Sequence, residues 1–242
     1  MISSFYNARS GVLAQEQAMN VIANNLSNVN TSGYKSEAMG FADLLYGNMN
    51  RAEGEEDRAR AGAGVRPAQV AVSFAQGAMA QSERELDFAL AGEGFFAVRD
   101  PVSGETSYTR DGSFRKSLRP DGFYLTTAAG ALVVNVVGEP VLFAESWPAS
   151  PRQEHLQIGV YRFANPYGLM KTGNNLYAAT EDSRQAAIVP APDLRQGYLE
   201  RSNVDVATEM ARVIETQRAF QMSARLVSLS DEMEQQLNSL RN

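Results

Sequence analysis

Cysteine is missing from the whole 242-residue chain, and histidine occurs once, at His155. The first absence excludes disulfides, thiolate metal sites and cysteine nucleophiles together. It fits a reducing compartment or a surface assembly held by packing alone. The second nearly closes the usual routes to general-base catalysis and zinc binding. Long apolar runs are missing too. A bilayer-spanning helix needs roughly 20 such residues. The best stretch, residues 128–137, is short, contains Gly130 and Asn135, and reads as strand and turn. Residues 1–6 lack the basic region and compact apolar stretch of a secretory signal. No basic run offsets the net charge of −6, so no nucleic-acid partner is expected.

What is present is regular. At 44% hydrophobic the chain can bury a core, and its length suits one or two domains. In the first 30 residues, Met1, Phe5, Ala8, Val12, Gln15, Met19, Ile22, Leu26 and Val29 follow spacings of four and three without a break. That is a heptad seam in which only Ala8 and Gln15 are weak members. Asn28, Asn30, Thr31, Ser32 and Gly33 then form a stop signal. A helix over about residues 4–29 would be roughly 39 Å long.

The C-terminus mirrors it. From Val206 one stripe runs through Met210, Val213, Gln217, Phe220, Ala224 and Val227, and a second takes over with Leu226, Met233, Leu237 and Leu240. Ser202, Asn203 and Asp205 are candidate caps. No Gly or Pro interrupts residues 205–241. A single helix of that length is several times the ordinary globular one and predicts a coiled coil or an assembly helix.

The middle is punctuated by Gly and Pro. Phe, Tyr, Val and Thr are concentrated in runs at 95–99, 106–110, 122–127, 131–137, 156–163 and 175–179. Asp111-Gly112 and Asp121-Gly122 are hairpin signals between such runs. The bridge 46–64, acidic around residues 53–57 and nearly free of apolar side chains, reads as a mobile loop. The predicted class is α+β: long N- and C-terminal helices packing as a coiled coil, with a central antiparallel β domain. Its parts are an N-terminal assembly helix (1–35), a polar loop and extended segment (36–85), a β-rich outer domain (86–200) and a C-terminal assembly helix (201–242).

No catalytic pattern survives inspection. His155, between Glu154 and Leu156, reads as a rim residue. Gly92-Glu93-Gly94 lacks the third glycine and following helix of a phosphate-binding turn, and reads as a tight turn between strands at 86–91 and 95–99. The carboxylates near 53–57 and 83–87 have neither EF-hand spacing nor a partner set that marks a metal cage. The asparagines Asn24, Asn25, Asn28 and Asn30 say more. Asn forms helices poorly, so four in seven residues has a local cost. They serve either as turn and cap residues or as hydrogen-bonding groups between subunits.

These residues carry a resemblance. Ile22-Ala23-Asn24-Asn25-Leu26-Ser27-Asn28-Val29-Asn30-Thr31-Ser32-Gly33-Tyr34-Lys35 resembles, nearly residue for residue, the N-terminal signature of the rod and hook proteins of the bacterial flagellum. Leu86-Asp87-Phe88-Ala89-Leu90 with Gly92-Glu93-Gly94-Phe95-Phe96-Ala97-Val98 is similar to the block that opens the family's β domain. Tyr108-Thr109-Arg110-Asp111-Gly112-Ser113-Phe114, Phe163-Ala164-Asn165-Pro166-Tyr167-Gly168-Leu169 and Gly173-Asn174-Asn175-Leu176-Tyr177 match later blocks. Gly197-Tyr198-Leu199-Glu200-Arg201-Ser202-Asn203-Val204-Asp205, then Gln217-Arg218-Ala219-Phe220, resemble the C-terminal signature. Gly64-Val65-Arg66-Pro67 after the polar loop looks more like the distal rod subunit than the proximal ones.

The resemblance implies a structural subunit of the basal-body rod, with no enzymatic activity, cofactor, metal or small-molecule substrate. The subunit would polymerise through its terminal helices into a tubular drive shaft that carries torque from motor to hook. Its partners would be further copies in a helical homo-oligomer, other axial rod and hook proteins, and the type III export apparatus. Its place would be the basal body, outside the cytoplasm. The expected assembly residues are Phe5, Val12, Met19, Ile22, Asn24, Asn25, Leu26, Asn28, Val29 and Asn30 at one end. At the other they are Asn203, Val206, Met210, Val213, Gln217, Arg218, Phe220, Val227, Met233 and Leu237. Two departures mark the β domain: residues 141–156 are short for the family, and 180–193 lack its usual glycine-rich turn. A proximal rod subunit, or a hook-like or cap component, is the alternative within the family. An enzyme using Asp87, Asp111 or His155, and a binding module anchored by its helices, are the alternatives outside it.

Overall fold

The computed structural model describes residues 2–48, 60–143 and 157–240. His155 and the acidic stretch 53–57 lie outside the described residues. The packing divides into two units, one of Met1–Ser27, Glu37–Ser73 and Asp205–Asn242, the other of Asn28–Ser36 and Phe74–Val204. The class is α+β, with a helix at each end and antiparallel sheet between them.

In the helical unit, α1 (Ile2–Ser27) and α2 (Val206–Leu240, 35 residues) lie side by side. Asp205 caps α2: its Oδ1 accepts the Ala207 N–H at 3.2 Å, and its Oδ2 accepts the Thr208 hydroxyl at 2.5 Å. Gly11 stands against Ser223, whereas Ala18 and Ile22 share a wall with Arg212 and Thr216. Rising numbers on one helix meet falling numbers on the other, so the pair is antiparallel. A two-stranded ribbon packs on α1. Strands β1 (Glu37–Asp43) and β4 (Val65–Val72) pair from Glu37↔Val72 to Asp43↔Val65, and β2 (Tyr46–Asn48) and β3 (Arg60–Gly62) extend the ribbon. Pro67 in β4 is tolerated because a two-stranded ribbon is all edge.

The β unit carries β5 (Met79–Gln81), β6 (Phe88–Ala91), β7 (Phe95–Arg99), β8 (Thr106–Thr109), β9 (Arg115–Arg119), β10 (Gly122–Thr126), β11 (Leu132–Val133) and β12 (Leu142–Phe143). It continues with β13 (Val160–Arg162), β14 (Met170–Gly173), β15 (Leu176–Ala178), β16 (Ala187–Ile188), β17 (Asp193–Gln196) and β18 (Tyr198–Glu200). Strand β7 is the hub, flanked by β8 on one side and by β11 and β13 on the other. One of its faces sends Phe96 and Val98 into a core with Phe88, Phe114, Leu125 and Val133. The other sets Phe95 edge-on to Phe74, Phe163 and Tyr177. Aromatic side chains on both faces explain why this strand reads as a continuous apolar run rather than an alternation.

One turn expectation is corrected and two hold. Asp121-Gly122 closes the β9–β10 hairpin, in which Arg119 pairs with Gly122. Asp111-Gly112 does not close a hairpin, because β8 pairs with β7 and β15 and β9 pairs with β10. Gly112 is instead a crossing point: a Cβ there would fall 1.7 Å from the Phe88 carbonyl oxygen. Gly92-Glu93-Gly94 is the expected tight turn between β6 and β7, with both glycines at positive φ, and β6 itself pairs with β17. The turn near residue 180 is built on a hydroxyl. Buried Ser183 donates to the Thr180 carbonyl at 2.8 Å and accepts the Thr180 N–H at 3.0 Å.

Candidate assembly interface

Along α1 the fully buried positions are Ala8, Ala14, Ala18, Ile22 and Asn25. Four of these five are small or polar. Along α2 the inward series is Glu209, Val213, Thr216, Ser223, Val227 and Ser230, all buried or half-buried, with Phe220 at the same spacing but at the border of exposure. The two helices therefore approach through small and short polar side chains, which lets the backbones come close: the Cβ that Gly11 lacks would stand 3.1 Å from the Ser223 hydroxyl.

Of the assembly residues expected from the sequence, Ile22 and Asn25 are buried, and Val12, Met19, Leu26, Asn28, Val29, Asn203, Val213 and Val227 are half-buried. Phe5, Asn24, Asn30, Val206, Met210, Gln217, Arg218, Phe220, Met233 and Leu237 are exposed. Sequence reasoning missed the small-residue seam because it followed large apolar side chains. The signal that would have found it is Ala8, Gly11, Ala14 and Ala18 recurring every three or four residues.

The large apolar side chains left outward form the notable surface. Phe5, Tyr6 and Leu13 are exposed on α1, and Met210, Ile214, Met222, Leu226, Leu229, Met233, Leu237 and Leu240 on α2. Exposure reaches 67% at Met222 and 83% at Leu240. All residues 231–240 are exposed. With Gly11 opposite Ser223 and equal rise per residue, the start of α1 stands level with about residue 232. By that register the last two turns of α2 run past the described start of α1. Isolated surface apolars need no explanation, but those of α2 recur mostly at spacings of three and four, along one stripe of the helix.

Asn25 uses both ends of its amide inside the chain. Its Nδ2 donates to the Glu37 carbonyl at 2.7 Å and its Oδ1 accepts the Glu37 N–H at 2.9 Å, so one side chain acts as a strand neighbour for β1. Asn28 accepts the Thr31 hydroxyl at 3.2 Å within the turn.

In the β unit the corresponding anchor is ionic. The Glu200 carboxylate, 1% exposed, lies 2.6 Å from the Lys35 ammonium and 3.4 Å from the Arg110 guanidinium, both also buried. Burial pushes the Lys35 ammonium below its ordinary value; Glu200 opposes that shift and neighbouring Arg110 adds to it. Asp87 accepts the Ser82 hydroxyl at 2.5 Å and pairs with Arg84 at 3.2 Å. Burial raises the Asp111 carboxyl, against hydrogen bonds from the Ser113 N–H and hydroxyl. Each of these carboxylates is engaged by a partner within the β unit. Among the described residues there is no group of three potential metal ligands, and no helix is long and apolar enough to cross a membrane.

Comparison with known proteins follows the same geometry. Residues 5–35 match the family model "Flagella basal body rod protein", residues 89–159 match "Flagellar hook protein FlgE/F/G D1 domain", and residues 195–240 match "Flagellar basal body rod FlgEFG protein C-terminal". The flagellar basal-body rod protein FlgG of Buchnera aphidicola subsp. Schizaphis graminum is 33% identical over 99% of the chain and 100% of its own length. FlgG of Borreliella burgdorferi is 34% identical over 96% of each. The flagellar hook-basal body complex protein FlhP of Bacillus subtilis is 27% identical over the full length of both.

Proposed function

The chain belongs to the flagellar basal-body rod protein family, and from that premise we propose that it builds the rod by polymerising through its two terminal helices. It is a structural subunit of the basal body, from a family that is not enzymatic. What supports the polymerisation reading is the run of exposed apolar side chains on α1 and α2, ending in the uncovered last turns of α2. A second copy, packed on these faces in coiled-coil fashion, would remove that surface from water. The full-length likeness to proteins named FlgG favours the distal rod. The other finer parts of the reading are a helical homo-oligomer in contact with rod and hook subunits, export through the type III apparatus, and torque transmission along the shaft. Stiffness would come from repeating the same seams in every subunit, since bending must disturb all of them at once.

Electron microscopy of basal bodies from a strain lacking the gene tests the assignment. A truncated rod without a hook is the expected result. No rod at all would indicate a proximal subunit, and a complete rod with a normal hook would overturn the role.

A further inference from the structure

The chain enters the β unit along residues 28–36 and leaves it through β18 and Asn203, and both segments close on one carboxylate. Glu200 Oε1 accepts the Lys35 ammonium at 2.6 Å and the Gly77 N–H at 2.8 Å, while Oε2 faces Arg110 at 3.4 Å. The Glu200 backbone carbonyl accepts the Gly33 N–H at 2.8 Å. Asn203 repeats the link, its Oδ1 accepting the Ser36 N–H at 2.7 Å and its Nδ2 donating to the Ala75 carbonyl at 3.0 Å.

The cluster holds two cations and one anion, all nearly devoid of solvent contact. Breaking a buried pair by removing one partner is strongly unfavourable because the remaining charge is left uncompensated. Docking of Lys35 before Glu200 is in place would set a second buried cation beside Arg110, with the Ala75 carbonyl accepting from the ammonium at 2.8 Å. The buried apolar core of the unit, by contrast, is drawn from residues 88–194 and includes no side chain of either segment.

We propose that Glu200 is a closing latch: segment 28–36 docks on the β unit only when β18 has brought this carboxylate between Lys35 and Arg110. The latch makes the ordering of the N-terminal junction conditional on a residue near the far end of the chain. It is a property of one chain and stands apart from polymerisation.

Amide hydrogen exchange on the full-length protein tests it, with Glu200→Gln, Lys35→Met and the double variant. Glu200→Gln should lower protection of the Gly33 and Ser36 amides by roughly a hundredfold or more while the β7 amides stay protected. Lys35→Met removes the surplus cation and should cost less than about tenfold. The double variant should recover at least about tenfold over Glu200→Gln alone, because one uncompensated cation remains instead of two. Equal losses in the two single variants, or no recovery in the double, would overturn the latch. So would β7 amides that exchange together with segment 28–36 in Glu200→Gln, since Glu200 would then support the whole core.

Discussion

Asn25 spends a side-chain amide where a backbone would normally serve, pairing with both polar groups of Glu37 at the start of β1. Asn25→Ala leaves the Glu37 N–H and carbonyl without that partner, and the expected cost is about 2 kcal/mol, read by denaturant unfolding of the full chain. Its neighbours Asn24 and Asn30 are exposed. The four asparagines are thus not equivalent, although the sequence presents them as one cluster. The reason is non-local, since Asn25's partner lies twelve residues on, beyond a turn. Gly112 teaches the same lesson: an Asp-Gly pair reads as hairpin chemistry, and only the crossing of the Phe88 backbone shows why a side chain is excluded there.

Both long helices were legible as elements. The predicted span 4–29 compares with Ile2–Ser27, and 205–241 with Val206–Leu240, because periodicity and the absence of breakers are local properties. The face by which they meet was not, since large side chains dominate a hydrophobic pattern and small ones permit the closest approach. Ala14→Leu, at a fully buried seam position, should destabilise the helical unit by about 1–3 kcal/mol through overpacking, measured by thermal unfolding. The start of α2 depends on Asp205, whose carboxyl lies below its ordinary value, held there by the Thr208 hydroxyl first and the Ala207 N–H second. A carboxyl with a lowered folded pKa adds stability above its unfolded value, near pH 4, and loses it as pH falls through the folded value. Asp205→Ala should therefore speed exchange at the first amides of α2 at neutral pH, and the difference from wild type should vanish in acid.

At the scale of the molecule, the proposed polymerisation would separate stability and assembly onto different faces of the same helices. Leu237→Asp and Met233→Asp fall on exposed positions of α2. Each should change monomer stability by no more than about 0.5 kcal/mol. Each should also prevent polymer formation, because an aspartate in a dry seam costs several kcal/mol per subunit. Sedimentation of polymer beside a melting curve of the monomer reads both at once. A variant that polymerises normally would remove these residues from the interface. Lone helices are marginal in water, whereas α1 and α2 pair with each other within one chain.

The sequence by itself determined the helical ends, about half of the strands of the middle and, through its signatures, the family. Each of these rests on spacing, composition or contiguous residues. Tertiary structure decided the small-residue seam between α1 and α2, the crossing at Gly112, the ladder made by Asn25, and the meeting of Lys35, Arg110 and Glu200. Those partners are separated by 12 to 212 residues. No periodicity connects them; they meet only because the chain folds back on itself, and burial then makes each contact obligatory.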